Sequence, residues 1–520
     1  MHRPLGAQIS HMLRGRGVEV IFGIPGVHNI ELYRGIEEAG IRHVLARHEQ
    51  GAGFMADGYA RATGRPGVAY VITGPGLTNI LTPLGQAFSD SVPVLAISSC
   101  LDETAGRRGQ LHQMRDQEGA AAMVCDWSHT ARDARAIYAL IDRAFAEFAS
   151  TRPRPKHVQV PIGALGTLAE PAPPPSPDPS TPEAPDLAAA VSMISAARRP
   201  LFLFGGGAKG GFRAARTLLA RRQAASFTTY AGRGIVAPDD PLAFGSFLAR
   251  PDSAGVFTRA DLVVAVGTEI AEVDLWRPSP GHSCKLIRVD VDPEQLAGAD
   301  LPILGDAAKV LRALAEALPE GRSDWTPAEV AAARARFRAE TDAERPGIVP
   351  MAEALRAALP EDVTVYSDMT QFAYVAKEVW DMPAPGLWHH PFGFGTLGYA
   401  LPAAIGGKIG RPENPVIAVA GDYGFQYTIQ ELGTAVELGL PLPILLWDNG
   451  KLKEIEESMQ RAQIAPNAVI ARNPDFLALA RAYGARAERP ASLSGLCDAV
   501  LRALRADGPT LIHMTPDLAG

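Results

Sequence analysis

VIAVAGDYGFQ, residues 416–426, decides the reading of the chain. Five apolar residues suit a buried strand, and Gly421-Asp422 ends it where a helical pattern begins. Phe425, Ile429, Leu432, Val436 and Leu440 recur near a 3.6-residue period, so one helix is expected from about Gly424 to Leu440. Pro441 and Pro443 stop it, and the next apolar run, LPILLWD (442–448), closes on Asp448-Asn449-Gly450. Asp422 and Asn449 then lie at the carboxyl ends of two parallel strands joined by a right-handed crossover, where open α/β sheets bind ligands. A carboxylate, an amide oxygen and a nearby loop carbonyl suit a hard cation such as Mg²⁺, with phosphate oxygens and water completing its shell. The helix start near Gly424 would add free N–H groups and a positive dipole end. Singly, Asp422 could be a helix cap and Asn449 a turn residue; together they point to a magnesium-bridged diphosphate. Tyr423 is the odd member, since a tight phosphate turn favours glycine at that place.

The same alternation extends outward. VAYVIT (68–73) and VPVLAIS (92–98) flank a Gly-rich turn and a helix; PLFLF (200–204), LVVAVG (262–267) and LIRVDVD (286–292) repeat the pattern, as does TLIHM (510–514). Continuous apolar strands between amphipathic helices indicate parallel sheets covered on both faces. The proline-rich run PAPPPSPDPSTPEAP (171–185) reads as an extended linker, and a charged helical stretch precedes Pro346. The expectation is an α/β chain of three doubly wound domains: 1–165, 186–318 and 348–520, with a linker at 166–185 and a linker helix at 319–347. A chain of 520 residues is too long for one core.

Composition excludes several function classes. The net charge of −7 argues against non-specific nucleic-acid binding. Arg3, Arg14, Arg16 and Glu19 interrupt the first twenty residues, so neither a signal peptide nor a membrane anchor is expected there, and no uncharged apolar run reaches spanning length. Cys100, Cys125, Cys284 and Cys497 show no metal or redox spacing and suit thiols in a reducing cytoplasm.

A second stretch carries a more specific signal. RHEQGAGFMADGYARATGRPGVAYVITGPGLTN (47–79), with the Gly-Asp turn and the later Asn449, resembles the thiamine-diphosphate enzymes of the acetolactate synthase and 2-oxo acid decarboxylase superfamily over nearly the whole chain. The resemblance implies thiamine diphosphate and Mg²⁺ as cofactors, with Asp422, Asn449 and the carbonyl of Lys451 as metal ligands. Gly421, Tyr423 and Gly424 would complete the diphosphate turn, Tyr423 serving through its backbone. Glu49 would bond the aminopyrimidine ring and favour the imino form that removes the reactive thiazolium proton; by itself it could equally cap the helix that follows. Thr73, Gly74, Pro75 and Asn79 fall in TGPGLTN, which the family places beside a partner subunit's cofactor and which lacks the Lys-Ser/Thr ending of a phosphate loop. In HHPFGFGTLGYALPAAIGGK (389–408) the family sets Gly395, Thr396 and Leu397 against the cofactor, with the Gly395 carbonyl receiving the exocyclic amine and Leu397 wedged between the rings. Glu49 and Asp422 lie in different domains, so the family's site between subunits implies a homodimer or homotetramer. FGGGAKGG (204–211) is a weak nucleotide signal with no acidic ribose partner, so FAD is not expected.

The reaction implied is decarboxylation of a small-molecule 2-oxo acid. His112 and Gln113, in GQLHQMRDQEG (109–119), are the candidate proton donor and substrate contacts, with His389 and His390 as further histidines. In KLKEIEESM (451–459), Glu454 and Glu457 share a helix face, and Glu454 could hold a cationic substrate tail or merely pair with a nearby lysine. The pattern looks like the 5-guanidino-2-oxopentanoate (2-ketoarginine) decarboxylase branch, which would make 4-guanidinobutanal in arginine breakdown. The alternatives are an acetolactate synthase-like carboligase and a non-catalytic paralogue; Tyr423 motivates the latter, and intact Glu49, Asp422 and Asn449 oppose it.

Overall fold

The computed structural model describes residues 1–103, 108–175 and 185–519. Three six-stranded sheets organise them, each wholly parallel. In the first the spatial order is Arg42–Leu45, Val20–Gly23, Gly67–Val71, Val94–Cys100, Lys156–Pro161 and Trp127–Thr130. The third runs Trp388–His389, Thr364–Ser367, Val416–Gly421, Pro443–Trp447, Thr510–Met514 and Arg486–Glu488. Val94–Cys100, Val416–Gly421 and Pro443–Trp447 are buried at every position, which is why they read as unbroken apolar runs. Among the described residues no helix is long and apolar enough to cross a membrane.

The helices that matter for the site are α1 (Glu49–Thr63), α2 (Pro75–Ser89), α3 (Pro327–Glu344), α4 (Ala400–Gly410), α5 (Asp422–Phe425), α6 (Glu431–Glu437) and α7 (Lys453–Arg461). The first and third domains meet where α1 lies on α4. A Cβ on Gly58 would fall 2.0 Å from the Ala403 carbonyl oxygen, and one on Gly406 would fall 1.9 Å from that of Met55. Only glycine allows the two backbones to come so close. Tyr399 donates its hydroxyl to Asp57 at 2.8 Å, and Tyr366 donates to the Gly58 carbonyl at 3.0 Å, across the same seam. One apolar core therefore runs from Phe22 and Phe54 through Tyr399 to Phe425 and Phe476.

Two boundaries differ from the sequence reading. Leu168–Ala169 pairs antiparallel with Arg3–Pro4, and the Glu170 carbonyl accepts the Tyr138 hydroxyl at 2.7 Å, so the first domain extends past 165. The rest of the expected linker, 176–184, lies outside the described residues. The helix expected over 424–440 is broken: α5 is one turn, and α6 starts at Glu431. Tertiary hydrogen bonds account for the break. Thr428 donates to the Gly398 carbonyl at 2.8 Å, while the Glu431 carboxylate accepts the Arg47 and His48 N–H groups, each at 3.0 Å.

In the central domain the glycines of 204–211 have a packing reason. A Cβ on Gly205 would lie 2.2 Å from the Gly267 carbonyl oxygen, so two strand-end loops are pressed together there.

Candidate active site

Glu49 is the first residue of α1, but the cap is His48, whose Nδ1 accepts the Gln50 N–H at 3.1 Å. The Glu49 carboxylate is thus free of capping. It is 8% exposed, and its Oε2 accepts from Asn79 Nδ2 at 2.9 Å. Its Oε1 faces Gly76, where a Cβ would come within 3.3 Å. The turn into α2 is held from outside. Thr73 meets Ser99 Oγ through its N–H and hydroxyl at 3.1 and 2.9 Å, and Gly74 donates its N–H to Gln117 Oε1 at 2.9 Å. Gly74 has φ of 72°, and a Cβ there would strike the His112 carbonyl oxygen at 2.4 Å, so glycine is required twice over. Pro75 opens the helix, where a missing N–H costs nothing. Gln117, which the sequence did not single out, also donates to the Ser99 carbonyl at 2.8 Å and ties the loop of His112 and Gln113 to this turn. Gln113 accepts the Gln110 N–H at 3.3 Å.

The second half of the site sits in the third domain. Gly421 pairs in register with Trp447, so Asp422 and Asp448-Asn449 leave adjacent strand ends together. One Asn473 amide donates to Asp422 Oδ2 at 2.6 Å and to Asp448 Oδ1 at 2.9 Å. Asp448 Oδ2 meets His513 Nε2 at 2.8 Å. Burial, with the neighbouring Asp448 charge, raises the proton affinity of the Asp422 carboxyl. Asn449 Oδ1 accepts the Lys451 N–H at 3.2 Å. Leu397 Cδ2 lies 3.4 Å from where a Cβ on Gly424 would be, so Leu397 and the Asp422 turn converge. Gly395, at φ 66°, precedes Thr396, whose hydroxyl donates to Gln86 Oε1 at 3.1 Å. The Tyr423 ring turns toward the exposed Tyr427, with centroids 5.9 Å apart.

His389 and His390 are buried, and burial together with nearby cations holds both well below the usual histidine range. His390 Nδ1 meets Ser367 Oγ at 2.9 Å, and the buried Nε2 of each ring has no hydrogen-bond partner among the described residues. Glu454, on α7, pairs with Arg345 at 2.9 Å, and Glu457 pairs with Lys453 at 3.4 Å.

The helix α2 touches both halves of the candidate site. Glu49 contacts its start, at Gly76 and Asn79, whereas Thr396 contacts Gln86 and Phe394 lies against Gly85. The nearest of these contacts, Asn79 and Gly85, are six residues apart, about 9 Å along the axis.

The residues fit the expected cofactor in kind. Asp422 is a buried carboxylate beside a second one, a setting a divalent cation would relieve, and Asn449 is within the same strand-end cleft. Among the described residues no three His, Cys, Asp or Glu side chains cluster to hold a metal.

Comparison with known proteins gives matching results. Residues 3–120 match the thiamine pyrophosphate enzyme N-terminal TPP binding domain, 187–314 the central domain and 368–514 the C-terminal TPP binding domain. A Pseudomonas aeruginosa protein described as a probable 2-ketoarginine decarboxylase is 44% identical, covering 98% of this chain and 93% of that protein. The Escherichia coli acetolactate synthase isozyme 2 large subunit is 30% identical over 98% of this chain and 95% of its own length. An acetolactate synthase large subunit of Mycobacterium tuberculosis is 32% identical over 92% and 82%.

Proposed function

Because the chain belongs to the thiamine pyrophosphate enzyme family and carries its N-terminal, central and C-terminal domains, we propose that it converts a 2-oxo acid to an aldehyde and CO₂, with Mg²⁺ and thiamine diphosphate. The observation that carries the reading is Glu49, a buried carboxylate fixed through one oxygen by Asn79. When bound, thiamine diphosphate supplies the nucleophilic carbon and the electron sink for loss of CO₂. Glu49 holds a proton at Oε1 toward the aminopyrimidine, and Asn79 keeps that oxygen aimed. Asp422, the Asn449 amide oxygen and the Lys451 carbonyl hold the cation. Gly421, the Tyr423 backbone and Gly424 leave room for the diphosphate, while Leu397, Gly395 and Thr396 shape the wall between its ends. The Thr73-Gly74-Pro75 turn closes the pyrimidine side, and His112 and Gln113 face the substrate.

Glu49 and Asp422 belong to different domains, and the family's site between subunits supports a homodimer in which Glu49 of one copy meets Asp422 of the other; a homotetramer would pair two such units. Exposed Val27, Leu111, Phe394 and Tyr427 give each half an apolar rim for that contact. The cysteines are free thiols, in keeping with a cytoplasmic setting.

For the substrate, the 44% relative supports 5-guanidino-2-oxopentanoate, giving 4-guanidinobutanal. Glu454 would bind the substrate guanidinium in place of Arg345, a partner with the same head group. The acetolactate synthase relatives favour a second reading, carboligation of two 2-oxo acids. Tyr423 gives the non-catalytic reading little support, since its ring leaves the strand end.

The test is CO₂ release from 5-guanidino-2-oxopentanoate and from pyruvate in parallel, with and without thiamine diphosphate and Mg²⁺. Cofactor-dependent release from the guanidino acid, with aldehyde formed in equal amount, is the expected result. A carbon–carbon bonded product from pyruvate would transfer the protein to the second reading.

A further inference from the structure

The segment that carries Leu397 needs bracing. Gly395 and Gly398 flank Thr396-Leu397 at φ 66° and 84°, and glycines leave a free chain many alternatives to those conformations. Two carboxylates supply the bracing, one from each domain that meets at the seam. Asp90 follows the last residue of α2 in the first domain, and its side chain is 5% exposed. Its Oδ1 accepts the Gly393 N–H at 2.9 Å and its Oδ2 the Phe392 N–H at 3.2 Å. Asp368 follows the strand Thr364–Ser367 in the third domain and takes the other end. Its Oδ2 accepts the Gly398 N–H at 2.8 Å, the Tyr399 N–H donates to the same carboxylate, and its Oδ1 accepts the Met369 N–H at 2.9 Å.

Resting on the proposed function, we propose that Asp90 and Asp368 are positioning residues, a clamp on the two ends of segment 392–399 that sets where Leu397 stands against the cofactor. The carboxylates are joined behind the segment. Arg61 donates to Asp90 Oδ2 at 2.8 Å and to Asp57 Oδ1 at 2.6 Å, and Tyr399 gives its hydroxyl to the same Asp57 oxygen at 2.8 Å. Leu397 therefore lies inside a circuit running from Asp90 through Arg61, Asp57 and Tyr399 to Asp368. Asp368 also fixes the segment relative to the Asp422 turn, since its Oδ2 lies 2.7 Å from where a Cβ on Gly424 would be. It is 1% exposed, and among the described residues only backbone N–H groups compensate its burial, which raises its proton affinity. A carboxylate placed there for packing alone would be costly; one that fixes a flexible segment from a fixed strand end has a use. Asparagine at either position keeps the shape but turns one acceptor into a donor facing N–H groups.

Three readouts test the clamp. In the cofactor-free protein, backbone amide hydrogen exchange over 392–399 should quicken about tenfold or more in Asp90→Asn and in Asp368→Asn. With thiamine diphosphate and Mg²⁺ bound and no substrate added, exchange of the thiazolium C2 proton should slow about 10–100-fold in each, the scale of a misplacement of roughly 1 Å. Cofactor affinity by calorimetry should change less than about threefold, because the cation and diphosphate contacts are untouched. Added to Leu397→Ala, neither substitution should slow C2 exchange further, since both act through the side chain already removed. Asp90→Glu, which keeps Arg61 paired and displaces the carboxylate by one methylene, gives the same reading should Asp90→Asn fail to fold. Unchanged C2 exchange beside quickened amide exchange, or a full further slowing in the Leu397→Ala background, would overturn the proposal. If the parent binds no thiamine diphosphate, the function beneath the proposal is wrong and both fall, a result calorimetry gives before any variant is made.

Discussion

Asn79 bonds one oxygen of the Glu49 carboxylate, and the other faces the glycine turn, so the side chain is aimed without being used up. Glu49→Gln preserves the shape and removes the titrating oxygen. It should keep the fold and most cofactor affinity while turnover falls about 10²–10⁴-fold, the range for losing an acid–base group. Calorimetry beside a CO₂ assay checks both halves, and near-normal turnover would remove Glu49 from the chemistry. Glu454 calls for a different comparison because Arg345 already occupies it. Glu454→Gln should raise KM for the guanidino acid by about 10–100-fold, the worth of one charge-assisted bond, and leave pyruvate kinetics unchanged. An equal change for both substrates would make the pair with Arg345 purely structural. At this scale the sequence pointed to Glu49, Asp422 and Asn449 because each falls in one short motif. The contact between His28 and His112 was not legible, since it arises only when loop 24–29 meets loop 109–113 in space.

At the scale of elements, the packing of α1 on α4 controls how the first and third domains meet. Gly58→Val would force side-chain carbon into the Ala403 carbonyl, at a cost of at least about 1–3 kcal/mol. A lowered melting temperature, with little change at an exposed control such as Gly166→Ala, where a Cβ meets nothing and φ is −84°, is the expected readout. The contact that breaks the expected helix has its own signature. Burial raises Glu431 to about 7, although Arg47, His48 and Thr434 donate to it. Between its ordinary value of 4.5 and about 7 the folded chain keeps a proton that the unfolded chain releases, so this group's contribution makes stability decline as pH rises through that window. Glu431→Gln should flatten that part of the melting-temperature profile between pH 5 and 8; an unchanged slope would assign the effect elsewhere. The strands were readable because parallel strands buried on both faces are continuously apolar. The break between α5 and α6 was not, because periodicity registers which residues face the core and is silent on long-range bonds to Gly398, Arg47 and His48.

At the scale of the whole molecule, three parallel-sheet domains carry the two halves of the candidate site, Glu49 in the first and Asp422 in the third, and the proposed activity draws the two from different copies. The most direct test is complementation. Chains carrying Glu49→Gln and chains carrying Asp422→Asn, each inactive alone, are co-expressed and purified together through two tags. In the mixed dimer one site would combine both defects and the other neither. Decarboxylase activity should therefore return to about half that of the parent dimer, because one of two symmetric sites is intact. Mixed dimers that stay as inactive as either variant alone would contradict a site shared between chains, and with it the account of how this protein works.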